Sequence, residues 1–174
     1  MKVAYHGEGH TSVGAFGIVL ANMGKFDEAE RYLRLSLDES PSEYHTEETN
    51  AYYLSVCHVN LGNVASKKGD FNKSLEWHYK ALEIRLQLRK PNDPSIADIH
   101  NLIGGTYFHK GEYKQAIDSY NKALTIYTQV YGQDHTTLAE VFSNIGAVYV
   151  KQDKYLDAFG YQQKVLDIQK KASS

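Results

Sequence analysis

The chain has 174 residues, with 23% charged and 42% apolar side chains and a formal net charge of −2. That length and apolar content suffice for a substantial core, and the near-neutral charge supplies no basic field for nucleic acid or a membrane surface. The lone Cys57 cannot form an intrachain disulfide, and the opening MKVAYHGEGHTSVG has no apolar run of the length a leader peptide or membrane span requires, so a cytoplasmic protein is expected.

Fourteen tyrosines against three prolines favour long helices with aromatic packing. In chain order, residues 1–9 read as disordered, and a first helical hairpin is expected over about residues 10–42. Its opening stretch, HGEGHTSVGAFG, is rich in glycine and reads as a frayed helix, followed by IVLANMGKFDEAERYLRLSLDE. The segment ESPSEYHTEE then carries three extra residues, which implies a longer loop. A second hairpin spans about 51–90 and contains NVASKKGDFNKSLEWHYKALEI. A third, about 94–131, starts at NDPSIA, where Asp93 suits the N-cap and Pro94 the first helical position. It continues into GTYFHKGEYKQAIDSYNKALTI. The fourth, about 136–172, starts at QDHTTLA and contains AVYVKQDKYLDAFGYQQKVLDI.

These four stretches are one pattern repeated. Gly24, Gly69, Gly111 and Asp153 share a column, at intervals of 45, 42 and 42 residues, a period that signals a solenoid of supersecondary units. Glycine in that column fits a left-handed helix end, which Asp153 can also enter at some cost. Two residues later stand Phe26, Phe71, Tyr113 and Tyr155, and three beyond these the small residues Ala29, Ser74, Ala116 and Ala158, where two helices can cross closely. In the preceding helices Phe16–Gly17, Leu61–Gly62, Ile103–Gly104 and Ile145–Gly146 recur in register. Each such glycine costs a helix about 1 kcal/mol relative to alanine, so all four are expected to make a close contact. Leu37, Leu82, Leu124 and Leu166 complete the pattern, beside Ser36, Ala81, Ala123 and Val165. The fold class is all-α, built of antiparallel helical hairpins.

The stretches HNLIGGTY (100–107), GEYKQA (111–116) and YNKAL (120–124), with their counterparts, resemble the tetratricopeptide repeat in its 42-residue form, similar to the repeats of kinesin light chains and related scaffold proteins. The resemblance covers about residues 11–171. It implies a right-handed superhelical solenoid forming a single domain over 1–174, with a concave face lined by the first helix of each repeat. The first copy departs most from the pattern.

If the glycine stripe of each first helix packs inward, the opposite stripe faces that groove. In the second repeat this stripe holds Val56, Val59, Asn60, Asn63 and Lys67; in the third, Asp98, Asn101, Leu102, Gly105, Phe108 and His109. The fourth contributes Glu140, Ser143, Asn144, Ala147, Val150 and Lys151, and the first Ala15, Ile18 and Asn22. Asparagine is a mediocre helix former, and Asn60, Asn63, Asn101 and Asn144 together cost about 2–3 kcal/mol. An amide that donates and accepts can clamp the backbone of an extended peptide whatever its sequence. In related proteins groove asparagines do this, and the match is closest at Asn60 and Asn144. The competing reading makes them solvated side chains or bonds to a neighbouring helix. Lys67, His109 and Lys151 form a basic row suited to an acidic ligand, although cations at helix C-termini complement the macrodipole without any ligand. Val56, Val59, Leu102, Phe108 and Val150 offer apolar anchors, or else pack on the next repeat.

Catalytic and metal chemistry is not expected. His6 and His10 have helical i,i+4 spacing but no evident third ligand. Cys57 and His58 are adjacent on a helix and point apart, and His58, His100, Trp77 and His78 read as packing residues. No phosphate loop, dinucleotide fingerprint or HExxH helix occurs, so no cofactor is implied. The leading expectation is a non-enzymatic scaffold binding a peptide or partner segment in the groove, with neither nucleic acid nor membrane as partner. The alternatives are a structural spacer or self-association segment of a larger repeat protein, with an uncapped apolar edge beyond Val165, Leu166 and Ile168 that pairs with another copy or with further repeats, and the substrate-positioning part of a larger enzyme.

Overall fold

The computed structural model describes residues 10–38 and 46–172, and the side chains of the first helix from Val13 onward. Eight α-helices occur among the described residues: α1 (His10–Asn22), α2 (Phe26–Asp38), α3 (Glu47–Lys67), α4 (Phe71–Leu88), α5 (Pro94–Lys110), α6 (Tyr113–Tyr131), α7 (Thr136–Lys151) and α8 (Tyr155–Ala172). They form four hairpins, as the repeat implies, and the described residues contain no strand. The expected disorder of 1–9 and the long loop through 39–45 lie outside the described residues, as does the His6–His10 pair.

The chain divides into two compact units, Met1–Ile84 and Arg85–Ser174, with the boundary inside α4. In the first unit Leu20, Ala29, Leu33, Leu61 and Val64 form the core, with Phe26, Tyr32 and Trp77 against it. In the second, Ala116, Tyr120, Ala123 and Tyr127 of α6 pack on Leu138, Val141, Ile145 and Val148 of α7, with Ala97 and Ile168.

Each hairpin turns in the same way. Gly24, Gly69 and Gly111 have φ of 77°, 80° and 83°, and Asp153 follows at 58°. In the third hairpin Gly111 N–H donates to the Phe108 carbonyl at 3.0 Å and Glu112 N–H to that of Tyr107 at 2.9 Å, and the other three turns repeat this pair of bonds. Helix starts also follow the sequence. Asp93 accepts from Ser95 N–H at 2.9 Å ahead of Pro94, and its bonds to Ser95 hold its carboxyl below the usual range. His135 Nδ1 accepts from Thr137 N–H at 3.3 Å. Thr46 caps α3, which begins at Glu47, ahead of the expected 51.

The glycine column behaves as expected in three hairpins only. A Cβ on Gly17 would meet Leu33 Cγ at 2.9 Å, one on Gly62 would overlap the His78 ring, and one on Gly104 would meet Tyr120 at 2.6 Å. A Cβ on Gly146 would find Tyr161 Cβ at 3.6 Å, an ordinary contact, which corrects the expectation of four close approaches. The reason lies across the hairpin. Leu33, His78 and Tyr120 share a column whose fourth member is Gln162, and Gln162 is exposed while the other three are buried. Tyr161 fills the space instead, against Tyr149 and Phe142. The first helix also departs from the pattern, since Phe16 is exposed where Leu61, Ile103 and Ile145 are buried.

Candidate functional site

The face opposite the glycine stripe is best defined in the second unit. Helical periodicity sets Asp98, Asn101, Leu102 and Gly105 along α5, and Glu140, Ser143, Asn144 and Ala147 at the equivalent positions of α7. None of these eight is buried. Asn101 reaches between two α7 residues one turn apart: its Nδ2 donates to Glu140 Oε1 at 3.3 Å, and its Oδ1 accepts from Asn144 Nδ2 at 3.1 Å. Asn144 Oδ1 has no hydrogen-bond partner among the described residues. The row therefore ends in an open acceptor.

Asp98 is anchored from behind by the buried Tyr127 of α6, whose hydroxyl donates to its Oδ1. Burial and then this bond push the Tyr127 phenol far above the ordinary tyrosine value, so it remains a donor at any physiological pH. Burial, with Glu140 nearby, pushes Tyr120 up to about 12. The carboxylate end of the face is thus backed by two phenols that stay protonated. Neither tyrosine was identifiable beforehand, because Tyr127 lies 29 residues from Asp98 and only the packing of α5 on α6 joins them.

Other residues of the stripe are occupied locally. Ser143 Oγ donates to the Ala139 carbonyl at 2.9 Å on its own helix. Leu102 is half-buried, and Phe108 packs at its own turn, tilted against Tyr113 with ring centroids 6.2 Å apart. Ala147, His109 and Lys151 are exposed, the last two in the final turns of α5 and α7.

In the first unit, Asn60 Nδ2 bends back to the Val56 carbonyl of its own helix at 2.8 Å. Asn63 Oδ1 lies 3.3 Å from His78 Nε2, across the hairpin. Val56 and Val59 are half-buried, and Lys67 is exposed in the last turn of α3. The four asparagines thus differ: Asn63 is tied to its hairpin partner, Asn60 to its own backbone, and Asn101 and Asn144 to each other.

The remaining histidines sit in packing positions. His58 stacks on Trp77 with ring centroids 5.3 Å apart, and burial, then Lys80, lowers its pKa. His100 is lowered by burial, then by Lys122. Cys57 is buried, with Ser36 Oγ 3.4 Å from its sulfur. Among the described residues no cluster of three histidine, cysteine or acidic side chains is placed to hold a metal, and no helix is long and apolar enough to cross a membrane. A concavity absent from the sequence reading, an open cleft of about 780 Å³, lies between α6 and α8, lined by Leu124, Thr128, Leu138, Phe142, Lys164 and Asp167. It shares no residue with the amide row.

No curated protein matches the chain. Among solved structures, BtubC (BKLC) from P. vanneervenii superposes with a TM-score of 0.77 at 20% identity, covering 91% of this chain and 64% of that one. The apo form of RapI gives 0.79 at 23% identity, covering 99% and 60%. MamA 41-end from Desulfovibrio magneticus RS-1 gives 0.69 at 18%, covering 95% and 78%. The chain therefore spans less than two thirds of the BtubC and RapI structures, and at these identities the likeness is one of fold. The sequence itself matches a tetratricopeptide repeat family profile over residues 53–129 and again over 95–171. Those matches run through the hairpins whose left-handed turns and paired glycines recur at the 42-residue period, and the chain belongs to the tetratricopeptide repeat family.

Proposed function

We propose that this chain is a non-catalytic interaction scaffold whose first-helix faces bind an extended peptide or a segment of a partner protein. The observation that carries the reading is the Asn144–Asn101–Glu140 row. Asn101 is already held by two bonds from α7, so a ligand backbone would meet amides whose rotamers are largely set before binding. Asn144 Oδ1 offers an acceptor for a backbone N–H, and each Asn Nδ2 has a second hydrogen for a carbonyl. Leu102 and Ala147 beside the row supply apolar area, while Asp98 and Glu140 at one end and His109 and Lys151 at the other give the ligand a direction. On α3 of the first unit, Val56, Val59, Asn60 and Lys67 carry the same kinds of side chain.

The test uses a displayed library of random peptides panned against the chain, followed by fluorescence anisotropy with the enriched peptides. Asn101→Ala with Asn144→Ala removes two amides worth about 1 kcal/mol each, so affinity should fall about tenfold or more with helicity unchanged. Equal affinity for wild type and a folded variant, or no enrichment, would rule out the amide row as a binding site.

A further inference from the structure

The way one hairpin receives the next is visible inside the first unit. Lys68, one residue before the turn glycine Gly69, bonds Asp27 at 2.7 Å and Glu30 at 2.9 Å, which stand three and six residues beyond Gly24. The residue one before the turn in the first hairpin is Met23. The residues three and six beyond the turn in the fourth are Leu156 and Phe159. A cation facing two carboxylates is thus matched, at the equivalent positions beside α1 and on α8, by three apolar side chains. All three are open to solvent: Met23 is 65% exposed, Leu156 90% and Phe159 70%.

The neighbouring columns agree. Phe16 and Val19 of α1 are 47% and 50% exposed, whereas Leu61 and Val64, Ile103 and Thr106, and Ile145 and Val148, their equivalents in the other first helices, are at most 2% exposed. On α8, Phe159 corresponds to the buried Leu75 and to Ile117, which packs on the core that contains α7. Each surface is half of an inter-repeat contact, and the two halves change from charged to apolar together. Exposed apolar surface of this kind marks an association site.

We infer that a second copy of this chain covers both surfaces, with α8 of one copy packed head to tail on α1 of the next and Met23 lodged against Leu156 and Phe159. A symmetric α8-on-α8 contact would leave Phe16, Val19 and Met23 in water. The head-to-tail contact is heterologous, so every copy uses both surfaces and assembly proceeds beyond the dimer unless the ring closes.

Sedimentation velocity over a concentration series tests this with two variants of exposed residues, their folds checked by circular dichroism. Val19→Glu with Met23→Glu blocks the α1 surface, and Leu156→Glu with Phe159→Glu blocks that of α8. Wild type should gain mass with concentration. Each variant alone should stay monomeric, with self-affinity reduced at least about thirtyfold. An equimolar mixture of the two should form a dimer that grows no further, because one intact surface of each kind remains. A wild type that is monomeric throughout overturns the inference, as does a mixture that fails to pair. An α1-blocked variant that assembles like wild type overturns it by assigning the contact to α8 on α8.

Discussion

The ring of His78 occupies the space that a Cβ on Gly62 would need. Helices α3 and α4 approach closely here because position 62 has no side chain, and the imidazole bonds Asn63 and the Val59 backbone. Gly62→Ala should therefore destabilise the chain by about 1–3 kcal/mol, overpacking outweighing the helix propensity gained. Gly146→Ala, in the same column but with room for a methyl group, should stabilise by about 0.5–1 kcal/mol. Urea denaturation of both variants measures the difference, and equal signs would refute the packing account.

His78 also sets a pH dependence. Burial drives its pKa down to about 4, against an ordinary value of 6.5. The native state stays neutral while the unfolded chain takes up a proton. The stabilisation is complete above about pH 6.5 and is lost as pH falls towards 4, amounting to about 3 kcal/mol. His58 and His100, also lowered by burial, add in the same direction. His78→Leu, the residue found at the equivalent Leu33, should flatten the stability profile between pH 4 and 6.5 in denaturation curves taken across that range. An unchanged slope would mean that His78 is protonated in the folded chain.

At the fourth turn Asp153 takes the left-handed conformation that three glycines adopt elsewhere. Its carboxylate accepts from the Tyr155 hydroxyl at 2.8 Å, an exposed bond that recovers part of the cost. Asp153→Gly should stabilise by about 0.5–1 kcal/mol, and Gly111→Ala should destabilise by about 1–2 kcal/mol. Thermal unfolding distinguishes the two, and a loss of stability in Asp153→Gly would show the Tyr155 bond to be dominant.

Whatever depends on backbone register was legible in the residues. Gly24, Gly69, Gly111 and Asp153 could be placed at positive φ from the period alone, since a helix of that length must end there and only such residues tolerate the turn. Asp93 and Pro94 likewise act locally. What escaped the sequence depends on side chains of two helices meeting. Gly146 matches its column, yet its contact was decided by Gln162 and Tyr161 on α8. Asn63 shares its stripe with Asn60, yet the buried imidazole of His78 draws it to the hairpin partner. Tyr127 gave no local sign of its bond to Asp98. A column predicts the residue type a position tolerates, whereas the partner that fills the space depends on what the facing helix presents.

The shared turn has a consequence for how order is acquired. In every hairpin two backbone bonds close a reversal of a few residues, so the two helices meet across a very short stretch of chain. The entropy of closing so short a loop is small, and contacts of low sequence separation form early. Folding need not await any distant pairing. The fault of an ill-fitting residue is correspondingly confined to the hairpin that carries it and the neighbour packed upon it.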